Sequence, residues 1–256
     1  RGEGELTFRE LLMKLMRGDR DFSDILGVTY RVGDEVRENP PRPLIRNLDD
    51  VPLPAYDLLP MDRYRVGKLK FGAIITSRGC PYSCIFCSSS LQFGKKWRAH
   101  SVDRVLEELR ILRYEYGRQE IEFMDDTFTL NKKRAVAIAE KIVEERLDIS
   151  WSASSRVNTF SREVGSAMHR AGAHTVYFGI ESGSDQTLKF IDKRITREQS
   201  MDATRAAKEC GLRALGSFII GFPYETEEDI KATIKFSNRV GVDLAQFTIA
   251  TPYPGT

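Results

Sequence analysis

The chain has 256 residues, 41% of them apolar and 30% charged, with a formal net charge of +2. That is enough apolar material for a substantial core, and too even a charge balance to argue for nucleic acid or an anionic membrane surface as partner. No stretch approaches the roughly 18 apolar residues of a membrane span, no signal peptide is expected ahead of the fold, and four cysteines with three of them crowded do not form the disulfide framework of a secreted domain. A reducing cytoplasm is therefore the expected compartment.

In chain order, residues 1–26 contain one short helix whose Leu6, Leu11, Leu12 and Leu15 follow helical spacing. GVTYRVGDEVREN reads as a hairpin turning at Gly33-Asp34. Six of the ten prolines (Pro40, Pro41, Pro43, Pro52, Pro54 and Pro60) follow, and because proline fixes φ and lacks a donor this stretch predicts an extended connector on a surface. Residues 1–70 thus form an N-terminal linker region.

From residue 71 apolar strands alternate with amphipathic helices. Strands are predicted over 72–77, 119–124, 149–154, 174–180, 213–220 and 243–250. Between them, Ser101, Asn131, Ser161, Thr196 and Thr226 are placed to begin helices, Thr196 with Gln199 as a capping box, and Gly117, Gly172, Gly211 and Gly241 to end them. Six β-α units with the last helix missing imply an α/β fold of parallel strands joined by right-handed crossovers. They are too few for a closed eight-fold barrel, and periodicity alone leaves both an open doubly wound sheet and a curved, partly closed barrel. Either one places ligands at the carboxyl ends of its strands.

The first of those strand ends runs into SRGCPYSCIFC, which holds Cys80, Cys84 and Cys87 in eight residues, while the fourth cysteine, Cys210, lies far downstream. One reading is zinc completed by His100 or Cys210. Another is a 4Fe–4S cubane held by three thiolates, with one iron left open. The motif Cys80-Pro81-Tyr82-Ser83-Cys84-Ile85-Phe86-Cys87 resembles the signature of the radical S-adenosylmethionine (SAM) superfamily, and the resemblance covers roughly residues 71–256. It implies a partial (β/α)6 barrel with helices outside. It also implies a cluster whose open iron is chelated by the amino and carboxylate groups of SAM, and reductive cleavage of SAM to a 5′-deoxyadenosyl radical. An electron donor such as a ferredoxin or flavodoxin goes with that chemistry.

The resemblance also suggests SAM contacts at the other strand ends, each with a plainer alternative. Phe86 is expected beside the adenine. Asp125, Asp126 and Thr127 stand where the family often has Gly-Gly-Glu against the methionyl amino group, though an Asp-rich turn would look the same. Arg156 follows strand three and is expected to face cofactor or substrate rather than water. Glu181 ends strand four and is expected at the ribose hydroxyls, or else in a buried ion pair. Lys193 is expected at the methionyl carboxylate, with Arg194 able to substitute, or as a solvated cation. Ser217 and Ile219 lie in a segment resembling G-x-I-x-G-x-x-E, expected along the adenine, its glycines letting backbone approach the ring. Glu225 reads as a helix-start residue and Cys210 as core.

The opening RGEGE, the run Pro-Leu-Pro-Ala-Tyr-Asp-Leu-Leu-Pro and the closing TPYPGT are similar to the branch of the superfamily that carries a cobalamin-binding domain ahead of the barrel. That resemblance implies a core fragment of a cobalamin-dependent methyltransferase, with cobalamin expected in the full-length protein only. Alternatives are a methylthiotransferase or other modifier of tRNA or protein, and a non-catalytic zinc or electron-transfer module.

Overall fold

The computed structural model describes residues 1–256, and its helices start where the capping residues stand. In chain order the elements are α1 (Glu5–Met16), β1 (Thr29–Val32), β2 (Glu35–Glu38), β3 (Arg65–Val66), β4 (Leu69–Ile74), β5 (Ser77–Arg78), α2 (Ser89–Phe93), β6 (Arg98–Ala99), α3 (Val102–Arg110), β7 (Glu120–Phe123), α4 (Lys132–Glu144), β8 (Ser150–Ser155), α5 (Arg162–Arg170), β9 (Ala173–Glu181), α6 (Asp185–Phe190), α7 (Arg197–Glu209), β10 (Arg213–Ile220), α8 (Glu227–Arg239) and β11 (Leu244–Ile249). Ser101, Asn131, Ser161, Thr196 and Thr226 each accept a hydrogen bond from the backbone N–H three residues on, a contribution of about 1 kcal/mol per helix. The Thr196–Gln199 capping box forms, and Thr226 with Asp229 forms a second.

The main sheet has the order β11-β10-β9-β8-β7-β4-β3. All pairs are parallel except the β3–β4 hairpin. Spatial order follows chain order from β4 to β11, whereas a doubly wound sheet reverses direction at a switch point. The sheet is therefore the curled half-barrel, with α3, α4, α5, α7 and α8 carrying the chain between its strands.

Strand alternation sorts the side chains. In β9, Val176, Phe178 and Ile180 are fully buried in the apolar layer, while Tyr177, Gly179 and Glu181 face a cavity at the carboxyl end. Trp151 of β8 is the wedge of the helix-side core. Its ring meets Phe123 and Phe128 at centroid distances of 4.9 and 5.6 Å, and its indole N–H donates to Ala171 O at 2.7 Å.

The N-terminal region departs from expectation in two ways. α1 forms, but of its side chains only Thr7 is buried, and Leu6, Leu12 and Leu15 each remain more than 40% exposed. Helical spacing says which residues share a face, not what covers it. The proline-rich stretch is not simply extended. It makes three single-turn helices, Leu48–Asp50, Tyr56–Leu58 and Met61–Arg63, anchored by buried Leu48 and Tyr56. The Tyr56 hydroxyl donates to Glu108 of α3 at 2.5 Å, a buried partner far away in sequence.

Gly172 has φ +89°, and a Cβ there would lie 2.2 Å from Ile149 O. Gly172→Ala is expected to destabilise the fold by about 2 kcal/mol or more, from left-handed strain plus a clash with backbone. Chemical denaturation reads this directly, and an unchanged midpoint would contradict the described turn.

Candidate functional site

The cysteine loop leaves β4 at its carboxyl end and is pinched off at its neck. There β5 and β6 pair antiparallel, Ser77 opposite Ala99 and Arg78 opposite Arg98. Gly79 has φ +86°, and a Cβ there would sit 2.6 Å from Lys96 O, so only glycine allows the two sides of the loop to close this tightly. The Cys80 N–H donates to Gly94 O at 3.3 Å, Cys87 N–H to Cys84 O at 3.2 Å, and Ile85 N–H to Ile191 O at 3.2 Å. The loop is thereby tied both to itself and to the turn after α6.

All three cysteines are free thiols and line one cavity of about 240 Å³. Burial pushes the Cys80 and Cys87 thiols up from their ordinary range. Backbone N–H groups of Tyr82 and Ser89 pull the other way, and the nearby Asp126 charge adds to the rise. Three thiols converging on an open cavity fit an iron–sulfur cluster with an unliganded iron. The two residues considered for completing a zinc site, His100 and Cys210, do not line this cavity. His100 Nδ1 lies 3.1 Å from Asp49, and Cys210 caps α7 against Ser166 of α5, with a sulfur–oxygen distance of 3.4 Å.

Three long polar side chains close the cavity. Lys193 and Glu181 form a buried ion pair at 2.6 Å. An added Cβ at Gly179 would meet that pair, at 2.5 Å from Glu181 Oε1 and 2.8 Å from Lys193 Nζ. Glu181 adopts φ +68° beside a β-bulge against β10, which turns its carboxylate inward and is the kind of local strain that gathers at working sites. Lys193 stands between two more left-handed residues, Asp192 and Arg194. Arg156 stacks on the Tyr82 ring at 3.6 Å, donates to Lys193 O and approaches Cys84 Sγ to 3.5 Å.

Of the residues singled out in the sequence, Cys80, Cys84, Cys87, Phe86, Asp126, Thr127, Arg156, Glu181, Lys193 and Ser217 line this one cavity. Ile219 lines a neighbouring cavity that shares Phe86. The Asp125 side chain does not line this cavity. It is 2% exposed and accepts from the Thr76 and Ser77 backbone N–H groups at 2.6 and 3.1 Å and from their hydroxyls at 2.6 and 2.7 Å. Burial pushes its carboxyl up, against those donors and the nearby Arg134.

Two further expectations change, at Arg194 and Gly216, while Glu225 stands at a helix start as read. Arg194 cannot stand in for Lys193, since it faces solvent and pairs with Asp192 at 2.8 Å. Gly216 turns toward the outer layer, where a Cβ would meet Val242 and Ile180, so it does not open the cavity wall. Glu225 accepts from the Gly221 and Phe222 N–H groups at 2.6 and 3.0 Å and shapes the turn into α8. The sequence reading did not single out Ser89, Ser154, Ser155, Tyr177, Phe178 and Gly179, all of which line the cavity. Counting back by twos from Glu181 along its strand would have found Tyr177 and Gly179.

The family model described as the radical SAM superfamily matches residues 74–237. The chain belongs to the radical SAM superfamily. Radical SAM proteins are enzymes that bind a 4Fe–4S cluster and SAM. Over all 256 residues the chain is 63% identical to the uncharacterized methyltransferase PH0819 of Pyrococcus horikoshii, covering 56% of that protein. It is 33% identical to the putative methylthiotransferase MJ0865 of Methanocaldococcus jannaschii, with all of this chain and 56% of that one aligned. The chain therefore spans a little over half the length of these curated relatives. Among solved structures, the cobalamin-dependent SAM radical enzyme OxsB, with aqua-cobalamin and SAM bound, superposes with a TM-score of 0.77 at 27% identity, over 92% of this chain and 35% of OxsB. No helix of the protein is long and apolar enough to cross a membrane.

Removing one partner of a buried ion pair strands the other charge. Lys193→Met is expected to destabilise the unliganded fold by about 3 kcal/mol, and the double variant Glu181→Leu/Lys193→Met to recover most of that loss. A denaturant titration of the three proteins tests it. A single variant as stable as the parent would show that the pair is not buried as described.

Proposed function

We propose that this chain is the cluster- and SAM-binding core of a radical SAM methyltransferase that works with cobalamin in the full-length protein. The observation that carries the reading is the convergence of Cys80, Cys84 and Cys87 with Lys193, Glu181 and Arg156 on one cavity at the strand ends. Residues 71–256 form this core, and residues 1–70 link it to whatever lies upstream. When bound, the 4Fe–4S cluster supplies an electron for homolysis of SAM and an iron at which SAM is chelated.

The chain's own residues bind and orient. The three thiolates hold the cluster. Lys193 offers an ammonium to the methionyl carboxylate and Glu181 a carboxylate to the ribose hydroxyls, so the ion pair that now satisfies both groups gives way to contacts with SAM. Asp126 and Thr127 face the methionyl amino group. Phe86, Ser217 and Ile219 form the adenine side. Arg156, stacked on Tyr82, fixes the loop between the first two cysteines. A ferredoxin- or flavodoxin-like donor in a reducing cytoplasm supplies the electron.

The methyltransferase reading rests on PH0819, at 63% identity, being named a methyltransferase, and the cobalamin reading on the likeness to OxsB. Transfer of a methylthio group, after the name of MJ0865, is the second reading, and the mass of the modified product separates the two.

Anaerobic reconstitution is expected to yield about four irons and four sulfides per chain, and SAM with a strong reductant to give 5′-deoxyadenosine. Alanine at Cys80, Cys84 or Cys87 is expected to abolish both. One tightly held zinc with no sulfide, or unchanged iron in any of the three variants, would contradict the assignment.

A further inference from the structure

Glu3 stands near the amino end of the chain, yet it is only 6% exposed. Its two oxygens lie 2.7 and 2.9 Å from Nη1 of Arg98. One of them also accepts from Arg78 at 3.1 Å, and the other from the Ile45 N–H at 2.7 Å. Arg98 is itself buried and donates onward to Ile45 O at 2.6 Å and Phe93 O at 2.9 Å. Glu5 adds a second carboxylate against Arg78.

Arg78 and Arg98 are directly opposed on β5 and β6, the two short strands that close the neck of the cysteine loop. Like charges facing each other across a strand pair repel, and a buried guanidinium without a counter-ion is costly. Two residue pairs of backbone ladder are little to hold such a neck shut. A carboxylate seated between the two arginines turns the repulsion into attraction for both strands at once. Arg78 is followed by Gly79 and Cys80, so the knot is two residues from the first thiol.

We propose that Glu3 is a positioning residue for the iron–sulfur loop. By bridging Arg78 and Arg98 it keeps the neck of the loop closed, and it makes the seating of the amino-terminal segment a condition for the three cysteines to be held together. This rests on the cluster assignment proposed above.

Glu3→Gln in the same chain keeps the size of the side chain and removes its charge. Glu38→Gln is the control, because Glu38 pairs with Arg1 of the same segment but at the surface. Hydrogen exchange on the cluster-free protein is expected to speed up about tenfold across residues 77–99 in Glu3→Gln. Exchange in α4, α5 and α7 should stay at parent rates, and Glu38→Gln should match the parent throughout. After reconstitution, Glu3→Gln is expected to hold less than half the parent's iron. Unchanged exchange over residues 77–99 would overturn the inference, and so would a uniform loss of protection over the whole barrel, which would make Glu3 a general stabiliser. If the parent takes up no cluster, the cluster assignment fails by itself, and the exchange pattern still decides whether Glu3 holds the neck.

Discussion

The site depends on one buried carboxylate that never enters it. Asp125, at the end of β7, gathers the backbone and hydroxyl donors of Thr76 and Ser77 as the chain leaves β4. Arg134 of α4 grips Thr76 from the other side, at 3.2 Å through its hydroxyl and 3.0 Å through its carbonyl. Strand one, strand two and the second barrel helix are thereby locked together at the point where the cysteine loop begins. A loop of some 20 residues that must present three thiols to one object has a large ordering entropy to overcome. Fixing its exit with four short hydrogen bonds, its neck with the β5–β6 pair and its tip to Ile191 O divides that task among three anchors.

From those anchors the chemistry follows the barrel. Successive parallel strands bring their carboxyl ends round in chain order, so Asp126, Arg156, Glu181 and Ser217 arrive at one cavity although they are spread over some 90 residues of sequence. Local strain does the final aiming. The left-handed Glu181 and the left-handed residues on either side of Lys193 turn two opposite charges inward until they meet. In the unliganded protein this pair satisfies both charges. In the proposed enzyme it is a preformed pair of partners for a zwitterionic ligand carrying a ribose.

Much of this was legible in the sequence, for identifiable reasons. The strand alternation and the helix caps are local signals and predicted six parallel strands with helices between them, whereas the half-barrel and most of the residues that now line the cavity were implied by the resemblance of the cysteine motif to a known family. What was not legible depends on partners distant along the chain. Asp125 and Asp126 are neighbours in sequence, and only the fold shows that one faces the loop's backbone and the other the cavity. Gly216 looked like an opening for a flat ring but is pressed against Val242 and Ile180. The burial of Glu3 carried no signal in the sequence, because nothing near it hints at two arginines 75 and 95 residues away. The exposed leucines of α1 show the same limit from the other side.

Every role proposed for the cavity requires that the three thiols hold a cluster with one iron open to SAM. Electron paramagnetic resonance of the reduced, reconstituted chain tests it most directly. A 4Fe–4S signal is expected whose shape shifts when SAM is added, with the shift weakened in Lys193→Met. A spectrum that SAM leaves unchanged, in a protein with a full complement of iron and sulfide, would contradict it.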